Sequence, residues 1–156
     1  MIEINIPGRG LLRLQYLVLD YNGTLACGGE LLHGVMERLE QLAQKLNIYV
    51  LTADTFGTAG AKLENAPCEL IVLPEGQQDV RKHQYVQKLG DEVTVCIGNG
   101  LNDRLMIGHA ALGIAVVLEE GAAADTLRAA DVVCTDITSA LDLLLFPQRL
   151  IATLRT

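Results

Sequence analysis

Tryptophan is absent from this sequence of 156 residues, and aromatic residues together make up only 4%. That scarcity leaves few flat faces on which a sugar ring or an unpaired base could stack. Positive charge is also in the minority. Twelve Lys and Arg face 19 Asp and Glu, for a formal net charge of −7, the wrong sign for a protein that grips nucleic acid through its phosphates. No apolar run approaches the roughly 18 residues that cross a bilayer. The N-terminal MIEINIPGRG has none of the marks of a signal peptide, so a soluble, cytoplasmic chain with no nucleic-acid or membrane partner is expected. The four cysteines, Cys27, Cys68, Cys96 and Cys134, form no CxxC pair. They read as reduced thiols beside apolar segments rather than as a disulfide or zinc set. The length suits one domain over residues 1–156 with a real buried core.

What is present is half apolar and alternates in character along the chain. Ile2 to Ile6 and Leu11 to Asp20 read as strands joined by Pro7-Gly8-Arg9-Gly10, a turn-forming sequence, which makes an N-terminal hairpin feeding a central strand. Short β-rich runs recur at Ile48 to Leu51, Leu70 to Leu73, Val93 to Ile97, Leu112 to Leu118 and Val132 to Cys134, and their continuous apolar character suits a parallel sheet buried on both faces. Between them, His33 to Asn47 places Val35, Met36, Leu39, Leu42, Ala43 and Leu46 at helical steps. Further helices are expected near Gly57 to Glu64, Gln78 to Leu89, Leu101 to Ala110, Ala122 to Ala129 and Ser139 to Leu145. Pro147 is expected to end the penultimate helix, leaving a short tail from Arg149 to Thr156. The fold class is therefore α/β, a Rossmann-like doubly wound parallel sheet of about six strands with helices on both faces.

In such a sheet, ligands collect beyond the carboxyl ends of the strands. The first parallel strand is followed there by Asp20-Tyr21-Asn22-Gly23-Thr24-Leu25, the next by Thr52-Ala53-Asp54, and a later one by Gly98-Asn99-Gly100-Leu101-Asn102-Asp103. Lys82 opens the helix before that later strand. This set supplies what phosphoryl transfer through an aspartyl phosphate needs: a carboxylate nucleophile, hydroxyls and amides for phosphate oxygens, a cation, and further oxygen ligands for Mg²⁺. Asp20 would attack, and the Gly23-Thr24 turn would bring backbone amides close to the phosphoryl group. Thr52 would donate its hydroxyl, Lys82 would neutralise charge, and Asp103 would share the metal with Asp20.

These four segments resemble the four motifs of the haloacid dehalogenase (HAD) superfamily, and within it those of the phosphorylation domain of P-type ATPases. Gly98 to Asp103 is similar to the ATPase GDGxND segment and Thr52-Ala53-Asp54 to its TGD. The similarity spans roughly residues 15 to 150. It implies a small phosphorylated substrate and Mg²⁺, with phosphate contacts from Gly23, Thr24, Thr52, Ala53 and Lys82. The metal would be held by Asp20, the Asn22 backbone carbonyl, Asn99 and Asp103. The intervals from Thr24 to Thr52 and from Thr52 to Lys82 are each filled by a helix and its connections, so no cap domain is expected. Capless members of the superfamily tend to assemble, which suggests a homo-oligomer.

Two positions depart from the family pattern. Asn22 stands where a family phosphatase carries the Asp that acts as general acid and base, a contribution of about 10² to 10⁴ in rate, so slow turnover or a long-lived phosphoenzyme is expected. Asn99 stands where the pattern has a metal-binding Asp, which weakens the expected Mg²⁺ site. Both amides precede glycine and are prone to deamidation. The same two amides motivate an alternative: a catalytically inactive HAD-fold pseudoenzyme that serves as a binding or regulatory protein. Simpler readings of single residues remain at this level. Asn22-Gly23 alone is a hairpin-turn signal, Thr52 alone suits a helix cap or an ordinary strand end, Lys62 and Lys88 are alternatives to Lys82, and Asp54 reads as a cap for the helix after it in preference to a substrate contact. His33, His83 and His109 read as scattered along helices, without metal-ligand partners.

Overall fold

The structure, a computed structural model, describes residues 1–54 and 57–156. The chain opens with β1 (Ile2–Ile6) and β2 (Gly10–Leu14), an antiparallel pair with Ile2 opposite Leu14. Ile2, Ile4 and Ile6 alternate with exposed residues and are buried, as a strand lying with one face on a core requires. The expected strand from Leu11 to Asp20 is two strands. The ladder breaks at Gln15, whose backbone N–H donates to the Val93 carbonyl and whose carbonyl accepts from Asn47, so the chain leaves the hairpin there and enters the main sheet as β3 (Tyr16–Asp20).

After β3 comes a small hairpin, β4 (Ala26–Cys27) with β5 (Glu30–Leu31), and then α1 (Val35–Leu42). The chain continues through β6 (Asn47–Thr52), the single-turn α2 (Ala59–Lys62), β7 (Glu69–Val72), α3 (Gln78–Leu89) and β8 (Thr94–Gly98). It finishes with α4 (Arg104–His109), β9 (Leu112–Val116), α5 (Ala124–Ala129), β10 (Val132–Cys134), α6 (Ile137–Leu145) and α7 (Pro147–Leu154). The six main strands lie in the order β10-β9-β8-β3-β6-β7, all parallel.

The side chains of β3 divide between two cores. Leu17 and Leu19 face one side, with Val35, Leu39 and Leu42 of α1, Leu141 and Leu144 of α6, and the hairpin isoleucines. Val18 faces the other, with Val86 of α3 and Met106 and Ile107 of α4. This two-sided burial is the reason the strands read as unbroken apolar runs. The expected tail after Pro147 is instead helical. Pro147 sits at the first position of α7, where a missing N–H costs nothing, and Leu150 of that helix is fully buried. Among the described residues no single helix is long and apolar enough to cross a membrane.

The strand order makes a switch point. From β3 the chain moves outward through β6 to β7, then returns to the opposite side of β3 to add β8, β9 and β10. The connections diverge above the carboxyl ends of β3 and β8, and a crevice opens there.

Candidate active site

Asp20 ends β3, Thr52 ends β6 and Gly98 ends β8, so the switch point carries the residues expected to matter. A cleft of about 240 Å³ lies above them, lined by Asp20, Asn22, Thr52, Ala53, Asp54, Lys82, Asn99, Gly100, Asn102 and Glu120. Lys82 reaches it from the first turn and a half of α3, with its side chain 1% exposed. Its Nζ donates to Asp20 Oδ1 and to Asp103 Oδ1, both at 2.6 Å. One buried ammonium thus bridges two carboxylates from different strand ends, short charge-assisted bonds that hold the three groups in one place.

The remaining oxygens are also engaged. Thr24 Oγ1 donates to Asp20 Oδ2 at 3.1 Å, and Asp103 Oδ2 accepts from the backbone N–H groups of Asn99 (3.0 Å) and Gly100 (2.9 Å). Asp103 therefore closes the turn that carries Asn99 as well as anchoring Lys82. Burial, then the charge of Asp103, raises the Asp20 carboxyl from its usual 3.8 to about 6, against the opposing pull of Lys82. For Lys82, burial alone would favour the neutral amine, but the two carboxylate charges outweigh it and raise its proton affinity. The ammonium therefore stays charged over the whole physiological range.

The turn after Asp20 differs in one respect from the sequence reading. The Gly23 N–H donates to the Ala26 carbonyl (2.8 Å) and the Thr24 N–H to the Tyr21 carbonyl (3.2 Å), so these amides close the turn upon itself rather than pointing into the cleft. Tyr21, fully buried, donates its hydroxyl to the Gly29 carbonyl and ties β4 and β5 to the turn. Gly23 has φ of +79°, in the left-handed region that only glycine enters without strain. Thr52 Oγ1 accepts from the Asp54 N–H at 3.0 Å, and Asp54 Oδ1 accepts from the Ala59 N–H at 3.2 Å. Asp54 thus satisfies the first amide of α2, the capping role expected of it, while also facing the cleft.

Asn99 is held on both sides of its amide. Nδ2 donates to the Gly121 carbonyl at 3.0 Å, and Oδ1 lies 3.4 Å from the Thr24 hydroxyl. The turn from Leu118 to Gly121 is in this way attached to the site, and with it Glu120, a cleft residue that the sequence reading missed. Glu120 lies in no motif and stands far along the chain from Asp20, so nothing in the sequence marked it. His83 and His109, expected to be scattered, instead stack with ring centroids 4.2 Å apart, and His83 Nε2 lies 3.8 Å from Asp91 Oδ2. The packing of α3 on α4 brings them together, and neither lines the cleft. Among the described residues no three His, Cys, Asp or Glu side chains converge tightly enough to cage an ion by themselves.

No protein-family model matches the chain. The uncharacterized protein MJ0073 from Methanocaldococcus jannaschii is 42% identical over 84 residues, which cover 51% of this chain and 90% of that protein. A HAD superfamily (subfamily III A) protein from Legionella pneumophila superposes with a TM-score of 0.68 at 20% identity, covering 90% of this chain and 87% of its own. The 3-deoxy-D-manno-octulosonate 8-phosphate phosphatase from Moraxella catarrhalis, solved with magnesium, phosphate and the sugar acid, superposes with a TM-score of 0.65 at 16% identity over 91% of this chain and 94% of its own. The chain belongs to the same family as MJ0073, and its architecture is the capless fold of the HAD superfamily.

Proposed function

We infer that this protein is a phosphohydrolase or phosphotransferase that works through an aspartyl phosphate on Asp20. The observation that carries this reading is the bridge from Lys82 Nζ to Asp20 Oδ1 and Asp103 Oδ1 at the switch point of the sheet. A buried carboxylate paired with a lysine and oriented by a threonine hydroxyl is equipped for nucleophilic attack on phosphorus. The similar fold of the Moraxella phosphatase, which carries magnesium and phosphate, supports the same chemistry here.

The residues present suit a magnesium ion by donor type. Asp20, the Asn22 backbone carbonyl and Asn99 Oδ1 are hard oxygen donors of the kind Mg²⁺ takes, and Asn99 Oδ1 lies 3.4 Å from Thr24 Oγ1, the hydroxyl that donates to Asp20 Oδ2. Asp103 would contribute charge from behind Lys82, since its own oxygens are occupied. A bound Mg²⁺ supplies positive charge to the phosphoryl oxygens. That supply matters because Lys82 is the one cation lining the cleft among the described residues, beside Asp20, Asp54 and Glu120.

In the first step an Asp20 oxygen bonds to phosphorus and the bond from phosphorus to the leaving oxygen breaks. The leaving oxygen takes its proton from water, because Asn22 has none to give. Lys82 offsets the charge that builds on the phosphoryl oxygens. In the second step water attacks phosphorus, the bond to Asp20 breaks, phosphate leaves and the water's proton passes to solvent. Without a carboxylate at residue 22 this second step is the slow one.

The test is intact-mass spectrometry and phosphate release with Mg²⁺ and either acetyl phosphate or p-nitrophenyl phosphate, using Asp20→Asn as the blank. A Mg²⁺-dependent gain of one phosphoryl mass, or phosphate release, that vanishes in the blank is expected. No adduct and no release from either donor would overturn the reading in favour of a binding protein, the alternative that Asn22 and Asn99 suggest.

A further inference from the structure

The charge of the cleft does not balance around a divalent ion if only the motif residues are counted. Residue 99 is an amide, so the negative charge at the metal-holding end comes from Asp20 and Asp103, and both share the single ammonium of Lys82. Affinity for a hard dication rises with the number of charged oxygen ligands. A further carboxylate at this end would have a clear electrostatic role.

Glu120 is placed for that role. A Cβ on Gly23 would lie 2.6 Å from Glu120 Oε2, 2.9 Å from Asn99 Oδ1 and 2.5 Å from Asn99 Nδ2. The Glu120 carboxylate and the Asn99 amide therefore pack together into the space that a side chain at residue 23 would take, against the turn that carries Asn22 and follows Asp20. They approach the turn this closely because residue 23 has no side chain. The turn that carries Glu120 is attached to residue 99 by two hydrogen bonds, Asn99 Nδ2 to the Gly121 carbonyl (3.0 Å) and the Ala123 N–H to the Asn99 carbonyl (2.9 Å). The turn is itself closed by the Gly121 N–H on the Leu118 carbonyl. The neighbouring Glu119 is directed elsewhere, accepting from Cys27 Sγ at 3.0 Å, whereas Glu120 lines the cleft.

We propose that Glu120 is a ligand of the magnesium ion, directly or through a bound water, and supplies across Gly23 the carboxylate that Asn99 lacks. The amide at residue 99 then has a positioning function: it holds the 118–121 turn by its Nδ2 donor, which a carboxylate at that position could not do. The proposal rests on the magnesium reading above and adds to it a residue from outside the four motifs.

The experiment is equilibrium binding to the metal-free full-length chain without substrate, following free Mn²⁺ by electron paramagnetic resonance and Mg²⁺ by calorimetry. Glu120→Gln is expected to weaken both ions about tenfold, the scale of one lost charge contact at a partly solvated site, while Glu119→Gln leaves binding unchanged. Adding Asn99→Asp to Glu120→Gln is expected to recover most of the loss. Wild-type affinity in a folded Glu120→Gln protein would overturn the proposal while leaving the magnesium reading intact. Failure of the folded wild-type chain to bind either ion would overturn both.

Discussion

Gly98 and Asp103 are matched in size. A Cβ on residue 98 would lie 2.5 Å from both Cγ and Oδ2 of Asp103, closer than carbon atoms approach. The absence of a side chain at the end of β8 is therefore what lets the Asp103 carboxylate lie back against the Asn99 and Gly100 amides and present its other oxygen to Lys82. Gly98→Ala is expected to push that carboxylate away, costing about 1–3 kcal/mol as an overpacked substitution. Phosphate release should fall by more than the loss of folded protein accounts for. Chemical denaturation and a turnover assay on the same sample check it.

Removing the ammonium should be more damaging than removing either acid. Lys82→Met leaves Asp20 and Asp103 buried without a cation, and breaking a buried pair in this way costs about 3–5 kcal/mol at neutral pH. The loss should shrink in acid, where Asp20, its carboxyl raised to about 6, accepts a proton. Urea unfolding of the variant and wild type at neutral and mildly acidic pH gives the comparison.

Asp20 should leave its own mark on the metal-free protein. Its carboxyl is raised from 3.8 to about 6 by burial and by Asp103, so between those values the folded protein holds a proton that the unfolded chain has already released. Stability from this group is thus present at low pH and lost as the pH rises through the window. With a chelator present, the melting temperature of wild type relative to Asp20→Asn is expected to fall across that range and then level off.

The two amides should respond differently to reversion. Asn22 is half-buried and lines the cleft, and Asn22→Asp is expected to speed hydrolysis of the phosphoenzyme by about 10²-fold or more, measured by single-turnover decay. Asn99→Asp faces the Gly121 carbonyl, to which Nδ2 now donates, and sets two acceptors against each other. It is expected to destabilise the metal-free protein by about 1–3 kcal/mol while tightening Mg²⁺ binding, so its melting temperature should become more dependent on magnesium than that of wild type.

Much of the architecture was legible because the main strands are buried on both faces and carry continuous apolar runs. Val95, Cys96 and Ile97 face two different cores yet are all apolar. The misreadings fell where local patterns have two uses. Pro147 both stops one helix and suits the first position of the next, and only the burial of Leu150 decides between them. Gln15 is an unremarkable polar residue in an apolar run, and the break there comes from its bonds to Val93 and Asn47, residues distant in sequence.

For the candidate site, the sequence by itself determined which chemical groups stand at or beyond the strand ends, Asp20, Thr52 and Asp103 with amides at residues 22 and 99, and marked Lys82 on the helix before β8. Their order and spacing along the chain carry that information because a parallel sheet delivers successive strand ends to one edge. Tertiary structure alone decided which oxygen meets which donor. It turned the Gly23 and Thr24 amides back into their own turn, stacked His83 on His109, and brought Glu120 against Gly23 beside Asn99. These contacts join segments far apart in sequence, and they depend on strand register, which no local pattern of residue types encodes.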